Sequence, residues 1–432
     1  MSLHDPDVET RAAAEQRASD EAALRAQLAA LRERSPFYRD KLAGADLNDL
    51  QALPFTTKDE LRASIAAERP LGRHLATPLE TVRRVYSSSG TTGDPLFIAV
   101  TDSDLAGWAE IGARSYRACG IAPGQRVVLT YNSGPFVAGA VLDAWTRIGA
   151  TVIPVGSGNT ERLVKAFQLL GAEAVGCTPS YALYLADWCR ERDIDPLGLG
   201  VRHIAVAGEP GGGEPATRAL IEEAFGATVR EAMGIADVSP SLWGECEEQA
   251  GMHFCGRDFV HAELIEPGGD APVPWEDGAE GELVYTSLRR EAMPVVRFRS
   301  RDRVVVTARP CSCGRTSVRV RCIGRTDDLL IVRGTNLFPS AVREVVAEFR
   351  PRVGGMIQIR PVHTGVRQDA APRVLVELGE GERAGDDLSR IIRQAIRGKL
   401  VATTAIELVP YGTLPRSEYK SQLVDFSESA ER

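Results

Sequence analysis

Short apolar runs alternate with helical stretches between about residue 85 and residue 235, and this alternation constrains the fold of the chain most strongly. Four of the runs have strand character, at 127–129, 151–155, 174–176 and 203–207. Apolar residues with helical spacing fill the intervals between them, at 137–148, 160–170 and 180–192. Because parallel strands need helical crossovers, the alternation predicts an α/β domain built on a parallel sheet.

The patterns on either side of this region differ from it. Residues 8–34 have helical spacing, and Thr57 with Glu60 three positions later predicts a capped helix start. Strands dominate from 259 to 306, and the segment 329–432 mixes strands with helices. We therefore expect a mixed sheet in the large domain and an α+β arrangement in the C-terminal segment.

The length of the chain predicts more than one domain. It has 432 residues, whereas a single hydrophobic core stops growing near ~250–300 residues. A glycine and a charged cluster interrupt the apolar pattern at 324–328. We place the boundary there, between a large domain at 1–325 and a small one at 326–432.

Charge and hydropathy exclude several classes of partner. The net charge of −8 disfavours a nucleic acid, since a phosphate backbone attracts basic surfaces. We find no apolar run near the ~20 residues that cross a bilayer, and the polar, charged N-terminus does not resemble a signal peptide. We expect a cytoplasmic protein that does not bind membranes, with its eight cysteines reduced.

A loop of small polar residues follows the strand-like segment 82–85. It includes Ser88, Ser89, Gly90, Thr91, Thr92 and Gly93. Hydroxyls, exposed N–H groups and flexible glycines suit a polyphosphate, although the spacing is not that of a Walker P-loop. The alternative interpretation is a polar turn between two strands.

The segment 88–95 resembles the signature loop of the adenylate-forming superfamily, which includes acyl-CoA synthetases, peptide-synthetase adenylation domains and luciferases. The chain is most similar to phenylacetate–CoA ligases, from about Ser35 to Lys420, with the motifs in the same order. Asp94 departs from the pattern, because the superfamily often has lysine there. The resemblance implies a large N-terminal adenylate-forming domain and a small mobile C-terminal domain.

The resemblance also implies the residues of a nucleotide site. It places Gly208, Glu209 and Pro210 on one face of the adenine, and Glu231, Ala232 and Met233 on the other. Asp237 would be the catalytic acid that binds Mg²⁺, because this ion prefers hard oxygen ligands; a helix-capping acid is the alternative. Asp302 would accept hydrogen bonds from the ribose hydroxyls, with a surface ion pair to Arg299 or Arg301 as the alternative.

The C-terminal motifs imply a domain that moves. By resemblance, Arg325 would contact ribose and phosphate, and Asp327 would be the hinge about which the small domain rotates. Lys420, in the segment 412–421, would be the catalytic lysine that stabilises charge as the carboxylate attacks ATP. A solvated lysine near a terminus is the alternative.

The resemblance implies a pocket for the acyl group as well. Tyr131, Phe136, Met233 and Pro240 would form a flat apolar slot, which suits an aromatic acid of the arylacetic or benzoic type. Phe136 packed in the core is the alternative. His203 and Asn132 are candidates for binding a polar ring substituent.

These features predict an AMP-forming acid–thiol ligase. Its partners would be a carboxylic acid, ATP and coenzyme A, with Mg²⁺ as cofactor. A carrier protein or an oxygen or nitrogen nucleophile remains open as the acceptor, and a homodimer remains open as the assembly. An oxidoreductase is disfavoured because 208–213 lacks dinucleotide-binding spacing, and Lys420 with Asp302 argues against a non-catalytic binder.

Four residues outside these motifs predict a structural zinc site. Cys246, His253, Cys311 and Cys313 provide three thiols and one imidazole, a known closed zinc set. In a reducing compartment such cysteines favour metal over a disulfide. Cys255 is a surplus candidate, and free thiols on adjacent strands are the alternative.

Overall fold

The computed structural model of the chain describes residues 3–68, 70–88, 96–132, 134, 136–326, 328–385, 387–415 and 423–429. Its helices are α1 (Pro6–Glu9), α2 (Ala13–Arg34), α3 (Pro36–Lys41), α4 (Lys58–Ala67), α5 (Asp102–Ala118), α6 (Val141–Ile148), α7 (Thr160–Leu170), α8 (Pro179–Arg190), α9 (Pro215–Phe225), α10 (Pro339–Ala347) and α11 (Leu388–Leu400). None of the helices in these ranges is long and apolar enough to cross a membrane.

The strands begin with a hairpin and continue through the chain. They are β1 (Arg84–Ser87), β2 (Phe97–Val100), β3 (Arg126–Leu129), β4 (Thr151–Pro154), β5 (Ala174–Cys177), β6 (His203–Ala207), β7 (Thr228–Ile235), β8 (Ser239–Glu245), β9 (Met252–Phe254), β10 (Val260–Ile265), β11 (Glu280–Ser287), β12 (Phe298–Thr307), β13 (Arg319–Arg325), β14 (Leu330–Val332), β15 (Thr335–Leu337), β16 (Val353–Arg360), β17 (Arg367–Gln368), β18 (Arg373–Leu378) and β19 (Ala405–Val409).

The largest sheet has eleven strands in the order β10-β11-β12-β13-β9-β8-β7-β6-β5-β3-β4. The pairs β3–β4, β3–β5 and β5–β6 are parallel, which confirms the fold predicted from the strand and helix alternation. The pairs β7–β8, β8–β9 and β10–β11 are antiparallel. The sheet is therefore mixed, with the strand-rich segment forming its antiparallel part.

Local sequence signals set the helix starts. The Thr57 side chain accepts from the Glu60 N–H, and Glu60 accepts from the Thr57 N–H, which confirms the predicted capping box of α4. Thr101 and Asp104 form the same arrangement at α5. Each box pairs N–H groups that the first helical turn would otherwise leave unsatisfied.

The chain forms two compact units. The first contains Met1–Cys177, Leu199–Gly208 and Arg230–Arg321, and the second contains Thr178–Gly198, Glu209–Val229 and Cys322–Arg432. The second unit thus includes α8 and α9 besides the C-terminal elements. This division follows packing. The boundary at 325 was proposed because a glycine and a charged cluster interrupt the apolar pattern there, and it stays a prediction.

The C-terminal elements of the second unit enclose their own core. β16, β18 and β19 form a three-stranded sheet, in which β16–β18 is antiparallel and β18–β19 parallel. Buried Val342 and Val346 of α10 pack with Ile392 of α11 and Ile357 of β16. This is the α+β arrangement predicted for the C-terminal segment.

Candidate active site and metal centre

The loop at 88–95, named the phosphate loop here after its predicted ligand, is closed at its base by a pair of hydrogen bonds. The Ser88 N–H donates to the Leu96 carbonyl at 2.9 Å, and the Leu96 N–H donates to Ser88 Oγ at 3.3 Å. Ser88 is buried, while Ser89, Gly90, Thr91, Thr92 and Gly93 lie outside the described residues, as does Asp94. Ser87, directly before the loop, also forms a parallel β-bridge with Phe136, one of the residues predicted to line the acyl pocket.

The hairpin of β7 and β8 contains four predicted site residues. Glu231, Ala232 and Met233 lie on β7, where Met233 pairs with Trp243 before the register shifts. A Cβ at Gly234 would lie 2.3 Å from the backbone of Pro240, so a side chain is sterically excluded there. Met233 and Pro240 therefore belong to one tightly packed hairpin, as the predicted pocket requires.

Asp237 lies in the turn between these strands. Only 3% of the residue is exposed, and neither carboxylate oxygen has a hydrogen-bond partner among the described residues. Lys58 Nζ approaches Oδ2 at 3.7 Å. A buried carboxylate without hydrogen bonds is costly, and functional sites are where such costs are tolerated.

The environment of Asp237 fits a magnesium ion. Mg²⁺ prefers hard oxygen ligands and is usually bound by one or two carboxylates together with substrate phosphates. Asp237 provides two such oxygens that no described donor occupies. The carboxylate can thus accept a metal ion without first breaking a hydrogen bond.

Lys58 lies beside Asp237, which the sequence alone did not reveal. It is the first residue of α4 and lies beside a carboxylate that is remote from it in the chain. The capping box predicted where this helix begins, but not which surface its first turn faces.

Tyr131 is fixed where the parallel strands end. Its hydroxyl donates to the Cys177 carbonyl at 2.8 Å and also lies 3.4 Å from the Ala207 carbonyl. The residue is buried, whereas Phe136 is half-buried. The phenol is therefore held by the ends of β5 and β6, which leaves the ring as an apolar surface.

The two candidates for binding a ring substituent lie in different places. The Asn132 amide donates to Ser157 Oγ at 2.8 Å, close to Tyr131 in the chain. His203 is the first residue of β6, at the opposite end of the strand from Ala207 and Gly208. A fully extended strand therefore separates His203 from the edge at which Tyr131 and Gly208 lie, and its binding of a ring substituent stays a prediction.

The remaining nucleotide residues lie at element ends and on β12. Gly208 has φ +96° directly after β6, a conformation that favours glycine. In the second unit, Glu209 accepts from the Ser180 N–H at 2.8 Å, and the Pro210 carbonyl accepts from Arg343. These contacts fix the segment predicted to line the adenine.

Asp302 and Arg325 are among the described residues, and Asp327 and Lys420 are not. Asp302 is buried on β12, and its N–H donates to Ser300 Oγ. Arg299, proposed as an alternative partner of Asp302, instead forms a bidentate pair with Glu282, with both contacts at 2.9 Å. Arg325 ends β13, and Asp327 and Lys420 lie outside the described residues.

The four predicted zinc ligands come together. The donor atoms of Cys246, His253, Cys311 and Cys313 all lie within 4.8 Å of one another. Cys246 Sγ is 3.6 Å from Cys311 Sγ, and Cys313 Sγ is 3.3 Å from His253 Nε2. The ligands of a tetrahedral zinc site lie about 3.5–3.8 Å apart. The Cys246–Cys311 separation is within this range and the Cys313–His253 separation is slightly shorter, so the four donors are close enough together to bind one ion.

The surroundings of the cluster support the same interpretation. His253 Nδ1 is 3.2 Å from the Ser317 carbonyl, so Nε2, 3.3 Å from Cys313 Sγ, is the ring nitrogen that faces the thiols. A hydrogen bond from Cys246 and contact with His253 lower the pKa of Cys313, favouring the thiolate. Cys255 Sγ donates instead to the His253 carbonyl.

The cysteine loop also holds the N-terminal segment. Arg315 Nε donates to Glu9 Oε2 at 2.7 Å, and both side chains are nearly inaccessible to solvent. The Thr316 N–H donates to the Glu9 carbonyl at 3.1 Å, and Thr316 Oγ1 donates to the Arg11 carbonyl at 2.6 Å. The loop that carries Cys311 and Cys313 is therefore hydrogen-bonded to the last residue of α1 and to the chain after it.

Comparison with known proteins gives consistent matches along the chain. Residues 334–425 match the AMP-binding enzyme C-terminal domain. The phenylacetate-coenzyme A ligase of Thermus thermophilus is 35% identical over 443 residues, which cover 96% of this chain and 97% of that protein. The phenylacetate-coenzyme A ligase of Escherichia coli is 33% identical over 409 residues, covering 90% of each chain.

A solved structure extends this likeness to three dimensions. It is the crystal structure of a 2-hydroxyisobutyryl-CoA ligase in the postadenylation state, in complex with R3-HIB-AMP. It matches with a TM-score of 0.90 and 28% identity, over 99% of this chain and 93% of that chain. The likeness thus spans the β7–β8 hairpin and the cysteine cluster together.

Proposed function

We infer the reaction from one premise, namely that the chain belongs to the phenylacetate–coenzyme A ligase family. It is an AMP-forming acid–thiol ligase. The carboxylate of an aromatic acid attacks the α-phosphate of ATP, giving an acyl-adenylate and pyrophosphate. The thiol of coenzyme A then attacks the acyl carbon, AMP leaves, and the thiol proton is released.

The state of the Asp237 carboxylate is the observation that best supports a catalytic site here. A buried carboxylate with two oxygens that take no described hydrogen bond is suited to a magnesium–ATP complex. The bound ion would neutralise charge on the phosphates as pyrophosphate departs. Lys58, 3.7 Å from the carboxylate, would place an ammonium group beside the same phosphates.

Lys58 offers an explanation for the unusual Asp94. Because position 94 is aspartate and not lysine, the phosphate loop would provide one cation fewer to the departing pyrophosphate. Lys58 Nζ supplies a cation from α4 instead, at a position fixed by the capping box around it. Fixed cations at developing negative charge are effective because they need no reorganisation during the reaction.

The proposed acyl pocket favours a planar apolar group. The Tyr131 hydroxyl is engaged by backbone carbonyls, and Phe136, Met233 and Pro240 add apolar surface around the phosphate-loop base and the β7–β8 hairpin. Pockets of this composition bind ligands mainly through shape and hydrophobic contact. We therefore propose an arylacetic or benzoic-type acid as substrate.

The cysteine cluster is proposed as a structural zinc site in a cytoplasmic enzyme. Its four side chains complete a closed coordination sphere, and closed spheres are typical of structural zinc. An open position, which a catalytic zinc would need, is not required by the proposed reaction. A reducing compartment keeps the three thiols available to the metal.

A panel of carboxylic acids tests the reaction. Pyrophosphate release is measured with ATP and Mg²⁺ for phenylacetate, benzoate, ring-substituted relatives and short aliphatic acids, with and without coenzyme A. We expect release with the aromatic acids and a thioester product only when coenzyme A is present. Adenylate that accumulates without transfer to coenzyme A would point to a carrier protein or another nucleophile as acceptor, and no release with any acid would contradict the proposal.

A further inference from the structure

We propose that Arg290 is a positioning residue that holds the Asp237 carboxylate in place for the magnesium–ATP complex. The proposal rests on the proposed function, and it concerns a residue outside every motif identified in the sequence. Arg290 acts here through the backbone of the β7–β8 turn, without touching the reacting atoms.

The guanidinium of Arg290 binds the backbone of the turn. Nη1 donates to the carbonyl of Asp237 at 2.8 Å and to that of Val238 at 2.9 Å. The guanidinium carbon also lies 4.9 Å from the ring centroid of Trp108, within cation–π range. The indole Nε1 of Trp108 donates to the same Val238 carbonyl at 2.8 Å. Two side chains thus hold adjacent carbonyl groups of the turn.

Arg290 is itself held by neighbouring elements. Gln27 of α2 donates to the Arg290 carbonyl at 2.7 Å. Asp104, in the capping box of α5, accepts from the N–H groups of Glu291 at 2.7 Å and Ala292 at 3.0 Å. The backbone at Arg290 and at the next two residues is therefore hydrogen-bonded to α2 and to α5. Because its backbone is held in this way, the Arg290 side chain keeps the β7–β8 turn at a fixed position relative to these helices.

The division of hydrogen bonds at Asp237 is the central observation. The described donors to this residue contact its carbonyl, while both carboxylate oxygens take none. A further hydrogen bond, from the Val238 N–H to the Ile235 carbonyl at 3.0 Å, closes the turn. The backbone is therefore fixed and the carboxylate is left available, which is how surrounding groups orient a metal ligand.

The direction of the change in metal affinity distinguishes a positioning role for Arg290 from a purely electrostatic effect of its charge. A buried cation near a metal-binding carboxylate repels the metal, so removing the charge alone would tighten metal binding. If Arg290 serves to position the turn, its removal loosens metal binding instead. If it only stabilises the fold, removal lowers the free energy of unfolding and leaves metal affinity unchanged.

The test uses the full chain with the variants Arg290→Gln, Arg290→Lys and Trp108→Phe, and the exposed neighbour Arg289→Gln as matched control. Mn²⁺ binding is followed by electron paramagnetic resonance in the presence of a non-hydrolysable ATP analogue. The Mg²⁺ concentration for half-maximal pyrophosphate release is measured in parallel, and urea unfolding verifies the fold of each variant.

We expect Mn²⁺ to bind about 10–100-fold more weakly to Arg290→Gln, the range for lost groups that orient metal ligands. Arg290→Lys should recover part of this loss, Trp108→Phe should show a smaller loss, and Arg289→Gln should match the wild type. Unchanged or tighter Mn²⁺ binding in folded Arg290→Gln would overturn the proposal. If that variant does not fold, unchanged binding in both Arg290→Lys and Trp108→Phe would overturn it.

Different results would refute the proposed function and the proposed role of Arg290. A wild-type enzyme that releases no pyrophosphate with any acid would refute the proposed function. A wild-type enzyme that is active, but whose Arg290 variants bind Mn²⁺ normally, would refute only the role of Arg290.

Discussion

Asp237 combines burial with a carboxylate that no described hydrogen-bond donor satisfies. Its replacement by asparagine keeps the shape of the side chain but removes the charge that we propose binds the metal. We expect Asp237→Asn to slow single-turnover adenylate formation about 10²–10³-fold, the range for a lost electrostatic contact in a transition state. Rapid-quench measurement at saturating ATP and acid provides the test.

The stability of the same variant gives an independent check. A buried charge that lacks hydrogen bonds is unfavourable to folding, so Asp237→Asn should keep or raise the free energy of unfolding measured in urea. Asp59→Asn, at an exposed site on α4, is the matched control and should change neither property. Normal adenylation by Asp237→Asn would remove Asp237 from the site.

His74 gives the folded protein a pH dependence whose direction can be worked out. Burial and, second, the charge of Arg290 lower the pKa of His74 to about 4, whereas an unfolded histidine has a pKa of about 6.5. Between these values the unfolded chain binds a proton that the folded chain does not. The free energy of unfolding therefore falls as the pH is lowered from about 6.5 to about 4.

His74→Gln tests this directly. We expect the variant to lose about 2 kcal/mol less stability than the wild type between about pH 7.5 and about pH 5, as measured by urea unfolding. Burial also lowers the pKa values of His203 and His261, so part of the acid sensitivity remains in the variant. Equal losses in both proteins would show that His74 is not the responsible group.

The limits of sequence reasoning are clear from Lys58 and Arg290. Residues that lie within a recognisable sequence motif, such as Asp237, could be identified from the residues next to them in the chain. Lys58 and Arg290 reach the same turn from α4 and from the segment after β11. Their roles depend on tertiary contacts between distant segments, and nothing in their local sequence indicates a partner.

Elements were more predictable than their arrangement. Apolar periodicity predicted β3 to β6 and α7, and the capping box predicted the start of α4. The strand order, in which β9 lies between β13 and β8, could not be predicted, because period-two patterns specify a buried face but not a neighbouring strand. This order brings the cysteine loop after β12 beside Cys246 and His253.

The cysteine loop and α1 should depend on the same metal. We expect about one zinc per chain by elemental analysis, and loss of that zinc with a lower free energy of unfolding in Cys311→Ser. Because Arg315 and Thr316 bind Glu9 and Arg11, loss of the metal should also expose the segment around α1 to limited proteolysis.

A matched cysteine variant distinguishes metal loss from a general effect. Cys322→Ser changes a half-buried thiol outside the cluster and should retain zinc and resistance to protease. Protein purified without added metal that holds no zinc, with all eight thiols open to titration, would contradict the metal site. Zinc loss without any change in proteolysis around α1 would contradict only the link between the two.

At the scale of the whole molecule, the family resemblance assigns the first half-reaction to Lys420. We expect Lys420→Ala to slow adenylate formation about 10²–10³-fold, because an ammonium group aimed at the transition state is lost, while ATP binding stays nearly intact. Lys399→Ala, on the exposed surface of α11, is the control. Adenylate formation at the wild-type rate by Lys420→Ala would contradict the assignment.

The same resemblance predicts that the two half-reactions need different domain positions, with Asp327 as the pivot. On this prediction, adenylation would need Lys420 in the site, and thioester formation would need it withdrawn and the segment around Arg333 and Gly334 brought in. Proline at the pivot fixes φ near about −65° and removes an N–H group, so Asp327→Pro should slow one half-reaction far more than the other. Single-turnover adenylate formation is compared with transfer from pre-formed adenylate to coenzyme A, with Asp327→Ala as the control that leaves φ free. Equal losses in both steps, or no loss in either, would count against alternation, because a misfolded enzyme loses both and a rigid one needs no pivot.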